Sequence, residues 1–145
     1  MPSRIAPILF LFITLTAGFT QCRTSNSMPA QYKSIYIDQF KLTYFKYLLK
    51  KSYNNSAAIQ EIIRLDHSGF TEPLVTEDDI KFIDSLTDID NEKLKTDSLD
   101  GYRRAEGGKG KRPLEYIMHK IDDKWLDRIA RKRLKLSGVP ESWKN

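Results

Sequence analysis

Beyond residue 30 the large apolar side chains recur at three- and four-residue steps, and that spacing excludes most folds other than a helical one. Ile37, Phe40, Tyr44 and Leu48, with Tyr47 beside them, share one face of a helix expected from about Ser34 to Tyr53. Asn54-Asn55-Ser56 offers a stop and a new N-cap, after which Ala58, Ile59, Ile62 and Ile63 carry the period to Ser68-Gly69. Thr76 then precedes Glu77, Asp78 and Asp79. A cap residue followed by acids suits the positive end of a helix dipole. Ile80, Ile83 and Leu86 form the expected buried stripe of that helix, with Phe82 to one side. Strand-like alternation is almost absent.

The period fails from Asp88 to Arg112. Leu94, Leu99 and Tyr102 are among its few large apolar residues, and Glu106 to Lys111 is glycine-rich. A stretch of that length exceeds the usual connection in a compact domain, and loops so long are commonly functional. Pro113 suits the first turn of a further helix, on which Leu114, Ile117, Met118 and Ile121 align. Asp122-Asp123 reads as a fresh cap, and Trp125, Leu126, Ile129 and Leu134 complete the chain before Gly138 and Pro140. Met118 and Trp125 are expected in the core. The fold class is all-α: a small bundle of four to five helices with one long polar loop before the C-terminal helices.

The N-terminus reads as an export signal. Arg4 precedes an uncharged stretch from Ile5 to Gln21, and its apolar run from Ile8 to Phe19 is too short to span a bilayer. Cys22 is the only cysteine and follows that run directly, the place where bacterial lipoproteins carry the acylated thiol. Phe19-Thr20-Gln21 departs from the usual small-residue approach to such a site, so cleavage after Gly18 or Thr20 is the alternative. The expected organisation is a signal peptide over 1–21, a polar tether over 22–33 and a single helical domain over 34–145. The expected address is the periplasm, with a membrane anchor through lipid on Cys22. One cysteine allows no disulfide framework, so the core must supply the stability.

The net charge of +5 conceals a segregation. Residues 66–100 hold eleven acids against three Lys/Arg, and residues 101–145 hold thirteen Lys/Arg against six acids. In an exported chain a basic third does not point to nucleic acid; opposite blocks folding together, or a charged partner, account for it better.

Catalysis requires converging bases, nucleophiles or metal ligands. His67 follows Asp66 at a helix end, and His119 lies beside an apolar face already assigned; neither is paired with another ligand. No His or Cys pair has zinc spacing. Asp84, Asp88 and Asp90 alternate without the glycine of a calcium loop. Gly110-Lys111 is followed by Arg112 rather than Ser or Thr, which removes a phosphate loop. Asp78-Asp79 and Asp122-Asp123 are explained by capping. The residues describe a binding protein with no cofactor or metal, not an enzyme.

Tyr44 to Tyr53 followed by Ala57-Ala58, then Ser68-Gly69-Phe70-Thr71-Glu72, then Ile80 to Leu86, and finally Lys124 to Lys132 form an ordered set. In that order they resemble the immunity proteins that protect bacteria against type VI secretion amidase effectors, over most of residues 40–135. Ile117-Met118-His119 stands where many members carry a Cys-Leu-Asp run, so a family disulfide has no thiol here. The resemblance implies a periplasmic helical protein, often dimeric, that blocks a peptidoglycan amidase by pushing a loop into its cleft. On that reading the loop from Asp97 to Arg112 is the inhibitory element. It carries Tyr102, Arg103 and Arg104, with Lys109 and Lys111 near its tip; tyrosine and arginine are the stronger candidates because they dominate binding hot spots. The competing reading is a structural or scaffold lipoprotein of the envelope, whose basic C-terminal helix contacts an anionic surface or an envelope complex.

Overall fold

The computed structural model describes residues 28–69, 72–101 and 110–138, which form five helices and no strand. They are α1 (Met28–Ser52), α2 (Ala57–Leu65), α3 (Glu77–Gly101), α4 (Pro113–Asp122) and α5 (Trp125–Leu136). The all-α bundle expected from the periodicity is the fold observed. The export signal, Cys22 and the C-terminal residues 139–145 lie outside the described residues.

The central strut is α1, 25 residues and therefore about 37 Å long. It begins earlier than the expected tether allowed: Pro29 sits in its first turn, where a missing N–H costs nothing, and Ala30 favours the helix. Tyr36, Ile37, Phe40, Tyr44 and Leu48 are all buried on its inner face. The helix stops at Asn54 and Asn55, both left-handed with φ near +54° and +53°, a conformation asparagine tolerates better than most residues. Ser56 occupies the N-cap position of α2 but makes no side-chain cap bond.

Helix α2 departs from expectation. None of its residues is buried, and Ile62 and Leu65 face outward. It lies at the edge of the bundle, with the residues after it tied to α1 by the Lys46–Asp66 ion pair at 3.0 Å. The chain then returns to the start of α1, which lets α3 run in the same direction as α1. Gln39 guides this return: its Nε2 donates to the Glu72 carbonyl at 2.8 Å, and its Oε1 accepts from the Leu74 amide at 2.6 Å.

The greatest difference concerns 88–112. Residues 88–101, read above as loop, continue α3 without a break. The pattern was hidden because the buried face of α3 is largely polar. Asp79, Ile83, Thr87, Asp90, Asn91 and Leu94 are its inward residues, whereas Ile80 and Ile89 are exposed. Thr76 caps the helix as foreseen, its hydroxyl accepting from the Asp79 amide at 3.2 Å. Asp122-Asp123 does not cap α5; Lys124, left-handed at φ +52°, makes that turn instead.

The buried carboxylates of α3 are received by hydroxyls of α1. Tyr36 donates to Asp79 at 2.9 Å, and Arg133 of α5 reaches the other oxygen at 2.8 Å. Tyr44 donates to Asp90 at 2.7 Å, as does Tyr116 of α4 at 2.7 Å, and Lys93 adds an ammonium at 3.0 Å. Burial pushes both carboxyls up, but these hydrogen bonds outweigh it and the net displacement is downward. Burial, reinforced by the carboxylate neighbours, raises the tyrosine hydroxyls, which stay protonated donors.

Because the folded-state values lie below the ordinary carboxylate value of about 4, the stabilisation is complete above that pH. It is lost as pH falls through the depressed native values. Asp90→Asn is expected to cost about 2–4 kcal/mol at neutral pH, because it leaves a buried group mismatched to two hydroxyl donors. Urea titrations from neutral to acidic pH check this: the difference between variant and parent should shrink as the parent's carboxylate protonates.

Candidate partner-binding face

Helix α4 is locked to the bundle on one side. Pro113 and Ile117 are buried, and Tyr116 is held by Asp90. The Lys120 ammonium lies 3.6 Å from the centre of the Trp125 ring, a cation–π contact beside the same carboxylate. Burial lowers the Lys120 ammonium, while Asp90 opposes that shift. Trp125 is half-buried and meets Tyr44 edge-on with centroids 6.3 Å apart, as a core residue.

This orientation turns Leu114, Met118 and Ile121 outward, at 53%, 57% and 40% exposure. They follow the i, i+4, i+7 rule and make one continuous apolar row, bordered by exposed Glu115, His119 and Asp122. Sequence spacing groups all three with Ile117 as core. Only Ile117 is buried, because Pro113, Tyr116 and Lys120 occupy the inward quadrant with it. Met118 is thus a surface residue, and an unbranched thioether adapts readily to a partner.

The row begins where the glycine-rich segment rejoins the fold. Lys111 is not free near a loop tip: its ammonium donates to the Ser52 carbonyl at 3.0 Å and to Asn91 Oδ1 at 3.2 Å. Burial, with Lys95 nearby, lowers this ammonium. The other end of the segment is Gly101, the last residue of α3. Tyr102, Arg103, Arg104 and Lys109 lie outside the described residues. Of the five residues expected to bind a partner, Lys111 is thus an anchor at the base.

His67 and His119 are exposed, and no group of three or more His, Cys, Asp or Glu among the described residues could hold a metal ion. No described helix is long and apolar enough to cross a membrane. No known protein family, curated protein or solved structure matches the chain.

The face predicts opposite outcomes for neighbouring residues. Met118→Asp should leave stability within about 0.5 kcal/mol of the parent, as for surface changes elsewhere. Ile117→Ala should cost about 2–4 kcal/mol through lost burial and a cavity. Urea midpoints of the two variants measure the contrast.

Proposed function

We propose that this chain is an exported inhibitor, an immunity protein that binds a peptidoglycan amidase effector in the periplasm and occludes its cleft. The observation that carries the reading is the row Leu114, Met118 and Ile121, left uncovered on a helix whose other side is locked into the core. An apolar row on a rigid helix, rimmed by polar residues, suits a protein partner. The segment just before it in the chain contributes Tyr102, Arg103 and Arg104, the residue types that anchor interfaces. The ordered resemblance to the amidase immunity proteins supplies the class of partner. On this reading Lys111 serves indirectly, tying the base of the segment to α1 and α3.

Capture of the partner from the source cell's envelope, with identification by mass, tests the reading. A cell-wall amidase is expected; any other kind of partner overturns it. Against that enzyme, Leu114→Asp with Met118→Asp should weaken binding by about a hundredfold, the loss of one strong hot spot. Arg103→Ala with Arg104→Ala should weaken it about tenfold with helicity intact by circular dichroism. Unchanged affinity in both variants would remove this face and segment from the interface.

The scaffold reading draws on a different observation, the basic outer side of α5, whose chemistry stands apart from what α4 binds.

A further inference from the structure

The outward face of α5 carries one sign of charge throughout. Its sequence has five Lys/Arg and one acid, and folding removes the acid and one base from the surface account. Asp127 is taken by Lys41 at 2.9 Å, and Arg133 turns inward to Asp79 at 2.8 Å. Arg128, Arg131, Lys132 and Lys135 are left exposed along one side, with Lys124 just before them. Among the described residues no carboxylate lies within ion-pair distance of any of these five.

The row ends on a large exposed apolar side chain. Leu136, 70% exposed, follows Lys132 at i+4 and Lys135 at i+1. This end of α5 points toward the start of α1: Asp127 meets Lys41, whereas Arg133 six residues later shares Asp79 with Tyr36, so α5 runs antiparallel to α1. A shallow groove between the two helices includes Ala30, Lys33, Asp38 and Arg131. Lys33, half-buried, adds a further cation at this end.

We propose that this face rests on an anionic bilayer surface, with Leu136 entering the boundary between headgroups and acyl chains. The proposal goes beyond the inhibitor reading and holds whatever α4 binds. Two observations select lipid over other polyanions. A lone leucine at the end of a basic row gains free energy in an interface and gains none on a phosphate backbone. The cations occupy the end where α1 begins, and the residues leading into α1 follow the apolar stretch Ile5–Gln21. The attraction of a basic patch to such a surface adds to any anchor elsewhere in the chain. Such attraction acts over about 10 Å at 0.1 M salt, so the patch must touch the surface to count.

The test uses the full chain with Cys22→Ser and either Leu136→Cys or Leu99→Cys, labelled with a fluorophore that brightens in an apolar medium. Leu99 is also exposed but lies near the far end of α3, the opposite end of the bundle. Vesicles of phosphatidylcholine with a minor share of phosphatidylglycerol should brighten the label at 136 and leave the label at 99 unchanged. Arg131→Glu, Lys132→Glu and Lys135→Glu together should weaken that response at least about tenfold, and high salt should weaken it too. These side chains are exposed, so circular dichroism should report an intact fold. The proposal fails if the label at 136 stays dark, if both positions brighten equally, or if pure phosphatidylcholine gives the same response. Capture of a single-stranded polynucleotide through the same three residues, without a vesicle response at 136, would replace lipid by nucleic acid.

Discussion

Two buried carboxylates, Asp79 and Asp90, hold α3 in register against α1, and every other helix is placed relative to that pair. Parallel helices with purely apolar faces can slide by a turn at modest cost. Here the donors Tyr36 and Tyr44 stand eight residues apart on α1, while their acceptors stand eleven apart on α3. A slip of one turn would bury both carboxylates without their hydroxyl donors, and each stranded charge costs several kcal/mol. The same acids then recruit the C-terminal helices, Asp79 through Arg133 of α5 and Asp90 through Tyr116 of α4. Polar groups inside this bundle therefore specify one arrangement rather than add bulk stability.

That arrangement explains how the opposed charge blocks are used. Residues 66–100 are strongly acidic and the C-terminal third strongly basic, which suggests that the two neutralise each other. Among the described residues little of that occurs. The exposed acids Asp84 and Asp88 of α3 pair with Lys51 of α1, both at 2.7 Å, and among the described residues only Arg133 of the basic block forms an ion pair with a buried acid of the acidic block. The surplus cations of α5 stay outward. The exposed cations of α5 are therefore not cancelled by the acids of α3, so this part of the surface keeps a directional charge that a partner can use.

The helices were legible wherever the inward residues were apolar. The face Ile37, Phe40, Tyr44 and Leu48 is where periodicity placed it, and the cap at Thr76 follows from its own residues. Legibility ended where the core is polar. Asp79 and Asp90 look like solvent-facing residues in a sequence, since their burial depends on tyrosines more than forty positions away. The candidate face on α4 was obscured for the opposite reason: α4 is apolar over more than half its circumference, so spacing alone cannot say which part faces in. The signal was present in Tyr116 and Lys120, four residues apart and both capable of reaching a buried acid. Met118 and the surface it offers become visible only once Asp90 claims those two.

The two uncovered faces start from different ends of α1 and approach each other near its middle, where Trp125 meets Tyr44. Lys111 ties the approach to α4 to Ser52, the last residue of α1, whereas the groove beside α5 opens at Ala30 and Lys33 near its start. The intervening stretch is about 28 Å of helix. If the Leu136 end of the basic face lies on a bilayer, the Leu114 end of the row on α4 is held away from it. A partner could then approach that row without competing with lipid, and the anchor would orient the binding face instead of covering it. A short polar stretch between Cys22 and Met28 strengthens this geometry, because a lipid there would restrain the adjacent end of α1 and not the distant one. The rigidity that the tyrosine–carboxylate pairs give to α1 and α3 is what would carry that orientation across the bundle.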